Sequence, residues 1–225
     1  SWGFAWYPTG EKAASVFQGG RETPMDLITK TLSDWKRFQS TCFICNFSNF
    51  PNGSNQKDIM PFTKNMAGKD WTWLSIGEIE RTGRDGDSVF TEALGQSGAE
   101  EGFCILLDYL NEYNCKSLSG INFQLLQEFF KEHKQFDESN ILVCDGKNLL
   151  AYRGVKSTQE LYLSRMTPPH IAKEISCRFI SIDLEGSSSD HRTVATVSTT
   201  PLAKLPRQRV IGQDGMVVVK RGSIR

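Results

Sequence analysis

Lys69-Asp-Trp-Thr-Trp-Leu-Ser-Ile-Gly-Glu-Ile-Glu80 reads as a strand, Trp71 to Ile79, that enters a turn. Tryptophan, threonine and isoleucine suit a pleated, half-buried surface, and glycine among them marks a bend. Upstream, Phe50 to Pro61 is a polar loop rich in Asn, Gly and Pro, preceded by a strand over Thr41 to Phe47. Pro24 to Phe38 carries Met25, Leu27, Ile28, Leu32, Trp35 and Phe38 at roughly helical spacing, with Thr23 as N-cap before a proline at the first helical position. That pattern predicts a helix with one buried face. The chain opens on a strand, Trp2 to Tyr7, whose hairpin partner is expected over Ala13 to Gln18 across the turn Pro8-Thr-Gly10.

Downstream, helices are predicted over Asp87 to Leu94, Ala99 to Tyr113 and Gly120 to His133. The second places Phe103, Leu106, Leu107 and Leu110 on one face, and the third Ile121, Leu125, Phe129 and Phe130. Strands return over Asn140 to Cys144, Leu149 to Arg153, Glu160 to Ser164, Arg178 to Ile182, Thr193 to Val197, Arg209 to Ile211 and Met216 to Lys220, with hairpin turns at Asp145-Gly146 and Gln213-Asp-Gly215. Strands, then helices, then strands again, with few βαβ alternations, make an α+β fold with antiparallel sheets and helices packed on their faces.

A chain of 225 residues can bury one sizeable core, and no Pro/Gly/Ser-rich linker divides it, so one domain over 1–225 is expected. The 26 basic and 26 acidic residues balance, which argues against nucleic acid or a membrane surface as partner. No apolar run is long enough to span a bilayer and the first residues do not form a secretion signal, so a soluble, cytoplasmic protein is expected. The first strand begins at Ser1 with no methionine and no lead-in, which suggests a chain cut or processed at this end.

Six cysteines, at 42, 45, 104, 115, 144 and 177, are too sparse for a disulfide scaffold. Phe103-Cys-Ile-Leu-Leu107 and Ile141-Leu-Val-Cys144 place two of them where cysteine serves as a small core residue. Cys42-Phe-Ile-Cys45 has the spacing of a metal half-site, but zinc needs two more ligands and His133, His170 and His191 stand alone. With no phosphate-binding loop and no dinucleotide fingerprint either, neither a metal nor a cofactor is expected.

Several islands, in order, resemble the class II glutamine amidotransferase domain of the N-terminal-nucleophile hydrolases. Ser1-Trp-Gly-Phe-Ala-Trp-Tyr7 is similar to the family's Gly-Trp-Gly-x-Ala-Trp-Tyr strand, and Pro61-Phe62 followed by Trp71 to Gly77 to the stretch from its Pro-Phe pair to its His-Asn-Gly turn. Asp87-Ser88 resembles its Thr-Asp-Ser-Glu helix start, Leu142-Val-Cys-Asp-Gly146 with Leu150-Ala-Tyr-Arg153 its Asp-Gly hairpin, and Val197-Ser-Thr-Thr-Pro-Leu202 its late Ser-x-Pro-Leu strand. The resemblance implies a four-layer αββα sandwich of antiparallel sheets, here lacking its N-terminal strand and nucleophile.

It also implies a site, in which most functional positions are changed. The family's nucleophile is an N-terminal cysteine upstream of the Gly-Trp-Gly strand, whose own amine can act as base. Ser1 offers a hydroxyl but falls on a different strand by the resemblance, so no residue here takes that position. The arginine of a His-x-Arg strand, which clamps the substrate carboxylate, corresponds to Asn46, and the histidine to Ile44. The asparagine that supports the oxyanion corresponds to Ile76, while Gly77 keeps the backbone donor of the former oxyanion turn. Ser75 points to the opposite strand face. Met60 stands where a polar residue commonly precedes the Pro-Phe pair, and Arg81 and Arg84 read as solvated turn residues rather than replacement clamps. Asp87, with Ser88 beside it, corresponds to the residue that receives the substrate ammonium, although an acidic residue at a helix start equally serves the helix dipole.

The substrate-binding candidates are therefore Asp87, Ser88 and Asn46, with no certain catalytic residue. The expected pocket is apolar, lined by Ile76 and the Trp71/Trp73 neighbourhood. Its ligand would be a small amide or amino-acid-like molecule, or the domain would engage a protein partner. The expected function is a glutamine amidotransferase-like domain without glutaminase activity, acting in binding, assembly or regulation. The alternative is an amidotransferase or amide hydrolase whose cysteine lies upstream of Ser1 and whose substrate is not free glutamine.

Overall fold

The computed structural model describes residues 1–8, 11–20, 40–48, 56–83, 90–170, 174–176, 181–183, 191–203, 205 and 207–225. Its central element is a six-stranded antiparallel sheet in the order β14-β13-β7-β6-β5-β4. The strands are β4 (Phe62–Met66), β5 (Lys69–Ile76), β6 (Asn140–Cys144), β7 (Asn148–Arg153), β13 (Met216–Lys220) and β14 (Ser223–Ile224). A three-stranded sheet, β2-β1-β3, consists of β1 (Trp2–Pro8), β2 (Ser15–Gly19) and β3 (Ser40–Phe47). Smaller sheets pair β11 (Val194–Ser198) and β12 (Arg209–Val210) with β8 (Tyr162–Met166), and β9 (Glu174–Ser176) with β10 (Ser181–Asp183).

The two faces of β5 define the layers. Trp73 stacks on Phe103 of α1 (Gly98–Glu112) with ring centroids 5.5 Å apart. Along the same sheet face, Tyr152 of β7 stacks on Phe130 of α2 (Phe123–Glu132) at 3.8 Å. Alternation turns Thr72, Leu74 and Ile76 the other way, toward the three-stranded sheet. Tyr7 bridges the two sheets there, its hydroxyl lying 3.1 Å from the carbonyls of Asp70 and Cys144 and 3.3 Å from Thr72 Oγ1. Burial, and next the neighbouring Cys144 thiol, push the Tyr7 phenol far above its usual range. Helices, one sheet and a second sheet thus supply three layers of an α+β sandwich.

The sequence accounts for these elements. In α1, Ser97 accepts a hydrogen bond from the Ala99 amide at 3.1 Å, and Phe103, Leu106, Leu107 and Leu110 form a fully buried stripe. In α2, Asn122 caps the first turn, but the buried face is Leu126, Phe129 and Phe130. Leu125 and Ile121, expected on that face, are only half-buried, and Ile121 precedes the helix. Strand β1 is buried on both faces: Trp2, Phe4 and Trp6 form a separate aromatic cluster with Phe43, Cys45 and Phe47, while Gly3, Ala5 and Tyr7 face the large sheet.

Some expectations are corrected. Phe90 to Leu94 is not helical, because the segment leading to α1 is held by carboxylates. Glu100 accepts the Gly95 amide at 2.7 Å, and Asp58 accepts the amides of Gln96 and Ser97, each at 2.9 Å. The turn at Gln213–Gly215 is not a hairpin, since β12 pairs with β8 and β13 with β7, and the chain changes sheets there. Strand β4 makes a hairpin with β5 through Ala67 and Gly68, at φ of 54° and 72°, and was not expected. The helix expected over 24–38 and residues 178–180 of the expected strand lie outside the described residues. No helix among the described residues is long and apolar enough to cross a membrane.

Candidate functional site

One end of the sandwich gathers the residues singled out from sequence. On β3, Asn46 pairs with Gly3 and Ile44 with Ala5, so both side chains lie on the face toward the large sheet. Gly3 is required there, because a Cβ would sit 2.1 Å from the carbonyl oxygen of Met60. Met60 precedes Pro61 through a cis peptide bond, and the segment is held by Gln18, whose side-chain amide donates to the Pro61 carbonyl at 2.8 Å. The Met60 sulfur then accepts from the Ser75 amide at 3.3 Å and from its hydroxyl at 3.4 Å. Met60 therefore connects β1 to the end of β5, where Ile76 pairs with Asn140.

The described residues of this end are largely apolar. Ile44 and Met60 are buried, Ile76 packs against the core, and the Asn46 amide reaches the Ser48 hydroxyl at 3.5 Å. Ser48 in turn lies 2.9 Å from the Ser1 hydroxyl. None of Ile44, Asn46, Met60, Ser75, Ile76 and Gly77 carries a titratable group. Among these residues a carboxylate would meet amide and hydroxyl donors and no bidentate guanidinium.

Gly77 is explained without chemistry. Its φ is +106°, and a Cβ would lie 2.6 Å from the Glu138 carbonyl and 3.1 Å from Ser139 Oγ. The Ser139 hydroxyl also donates to the Glu78 carbonyl at 2.9 Å, fixing the chain just after the turn. Any side chain at position 77 would strike this neighbouring backbone.

Arg81 is committed elsewhere: its Nε donates to Glu101 at 2.9 Å, and the Thr82 hydroxyl and amide donate to the same carboxylate at 2.6 and 3.0 Å. Burial raises the Glu101 pKa, but these hydrogen bonds outweigh it and hold the carboxyl below its usual value. Arg84, Asp87 and Ser88 lie outside the described residues. The expected Trp71/Trp73 lining is corrected. Both rings are fully buried on the helix side of β5, Trp71 donating to the Met66 carbonyl at 3.3 Å, so neither borders the Ile76 face. Cys42 and Cys45 point to opposite faces of β3, one packed on the main core and the other on the aromatic cluster, a geometry that cannot chelate.

A cavity of about 490 Å³ lies against α2, lined among others by Phe130, Lys134, Tyr152 and Asp214. A second, of about 360 Å³, lies beside the β6–β7 turn. Neither is lined by Asn46, Ile76 or Gly77. Sequence reasoning noted Met60 only as a changed residue and missed its bridging contacts, for which the neighbouring proline pair was the one signal.

The family model for class II glutamine amidotransferases matches residues 1–225. The chain belongs to that family. Among solved structures, this amidotransferase domain is similar to a predicted glutamine amidotransferase from Pseudomonas aeruginosa PA01, with 19% identity, a TM-score of 0.71, and coverage of 99% of this chain and 85% of that one. It is also similar to a glutamine aminotransferase class-II domain protein from Silicibacter pomeroyi, at 14% identity and a TM-score of 0.53, covering 100% of this chain and 89% of the other. These likenesses establish the N-terminal-nucleophile hydrolase type of fold. No curated protein matches the sequence.

Proposed function

We propose that this chain forms a single class II glutamine amidotransferase-like domain that does not hydrolyse glutamine and serves in binding, assembly or regulation in the cytoplasm. The observation that carries the reading is the replacement set at one end of the sandwich. By the family resemblance, Ile44 and Asn46 correspond to the His-x-Arg strand and Ile76 to the oxyanion asparagine; in the structure Asn46 of β3 pairs with Gly3 and Ile76 ends β5.

The magnitudes favour loss over altered tuning. Removing one oxyanion donor costs about 10²–10³ in rate. Loss of a charge-assisted pair to the carboxylate removes about 1.5–3 kcal/mol of binding in addition. A mostly apolar pocket with Asn46 and, by the resemblance, Asp87 and Ser88 as its polar groups suits a small amide or amino-acid-like ligand, or a protein segment.

The test is ammonia release from glutamine by the full-length gene product, beside a variant in which any cysteine encoded upstream of Ser1 is changed to alanine. No release from either is expected. Release that the cysteine variant abolishes would overturn the proposal and favour an enzyme whose nucleophile lies upstream.

A further inference from the structure

We propose that the cleft at the opposite end of the sandwich, beside the Asp145–Asn148 turn, binds a small phosphate-bearing anion. The cleft is formed by Glu11 and Lys12 before β2, Lys69 at the start of β5, Ser117 and Ser119, the β6–β7 turn, and Lys220 with Arg221. Strand β5 runs from Lys69 here to Ile76 at the other site, a separation of about 23 Å along the strand. The two sites are therefore distinct, and this inference does not depend on the glutamine reading.

The floor is a closed polar network. Asp145 is buried and accepts from Lys69 Nζ at 2.8 Å, Ser117 Oγ at 2.7 Å, the Leu118 amide at 2.9 Å, and the amide and side chain of Asn148, each at 2.9 Å. Lys69 and Asp145 thus cancel in charge, and the carboxylate has no capacity left for a metal or a cationic ligand. What remains is a rim of Lys12, Lys147, Lys220 and Arg221 against one carboxylate, Glu11. None of these four cations makes an ion pair with a described carboxylate.

Among the described residues, three positive charges are therefore unbalanced around one cleft, in a chain whose basic and acidic residues cancel. Uncompensated like charges gathered in a concavity focus a positive potential and favour a multivalent anion. Arg221 enters the β13–β14 turn at a φ of 49°, a conformation that favours Asn or Gly, yet a long cation stands there. The cleft volume of about 360 Å³ lies in the range of small-ligand sites. It is a concavity rather than an extended basic track, which favours a small phosphorylated molecule over nucleic acid.

Calorimetric titration of the full chain with inorganic pyrophosphate tests the proposal, beside the double variant Lys147→Gln/Arg221→Gln and the control Lys131→Gln/Lys134→Gln at the other cavity. Saturable binding is expected, weakened about tenfold or more in the first variant, unchanged in the control, and reduced by added salt. All four side chains are exposed, so equal melting temperatures should show that each variant folds. The proposal fails if pyrophosphate gives no saturable binding, or if the double variant binds as tightly as the parent. It also fails if a short single-stranded oligonucleotide binds the cleft and pyrophosphate does not displace it.

Discussion

Gly77→Ala is the sharpest test of whether the glycine after β5 is kept for structure. At φ of +106°, alanine incurs a left-handed backbone cost of about 1–2 kcal/mol. Its Cβ would sit 2.6 Å from the Glu138 carbonyl and 3.0 Å from the Ser139 Cα, both backbone atoms that cannot rotate aside, and overpacking of this kind costs about 1–3 kcal/mol. Stiffening of the unfolded chain offsets about 0.4–1 kcal/mol. The net expectation is a loss of about 2–4 kcal/mol from a total stability of about 5–15 kcal/mol.

For a chain of 225 residues that corresponds to a fall in Tm of about 4–16 °C. Urea denaturation followed by tryptophan fluorescence and far-UV circular dichroism should show a lower midpoint with an unchanged slope. Gly83→Ala supplies an internal control, because its φ is +65° but a Cβ there meets nothing within 4 Å. That variant should lose only the backbone component, and the difference between the two isolates the clash. A loss below about 1 kcal/mol for Gly77→Ala would refute the reasoning. The glycine would then owe its presence to something other than this close approach to Glu138 and Ser139.

Further outcomes follow from the sheet interface and the acid-sensitive network. Tyr7→Phe removes the one hydroxyl proton shared among the Asp70 carbonyl, the Cys144 carbonyl and Thr72, and should cost about 1–3 kcal/mol in the same denaturation assay. No measurable loss would show that this hydroxyl does not tie the sheets together. Glu100, Glu101 and Asp145 are each raised by burial but held below their usual pKa by stronger hydrogen bonds, to the Leu94 and Gly95 amides and Lys64, to Thr82 and Arg81, and to Lys69, Ser117 and Leu118. Their folded pKa values lie below the unfolded ones, so their stabilisation is fully present above about pH 5 and is lost as pH falls through the folded values. Urea midpoints measured from about pH 6 down to about pH 3 should therefore drop, and Asp145→Asn should flatten part of the drop, whereas a pH-independent midpoint would contradict the assignment.

Much of the framework was legible because it rests on local rules. The opening strand over Trp2 to Tyr7 and the Phe103–Leu110 stripe each follow from a few neighbouring residues, whereas the caps at Ser97 and Asn122 were not read. The opposed directions of Cys42 and Cys45 also follow from strand periodicity once residues 40–47 are read as β. Phe90 to Leu94 was misread because its backbone is governed by Asp58 and Glu100, which are remote in sequence or beyond the segment. The turn at Gln213–Gly215 looked like a hairpin, but competition among strands for partners is settled by packing across the sandwich.

The sequence by itself determined the family resemblance and the chemical character of the positions it singles out, because residue type and spacing are local quantities. It could state that Asn46 and Ile76 lack the charge and hydrogen bonds of an arginine and an asparagine. Only the tertiary structure decided what surrounds them: Met60 lodged against Ser75, Gly77 pressed on Glu138, Trp71 and Trp73 turned to the helix side, and four cations gathered round a neutralised Asp145. Those outcomes depend on sheet register and on contacts between distant segments, where a shift of one residue would reverse the face of every side chain.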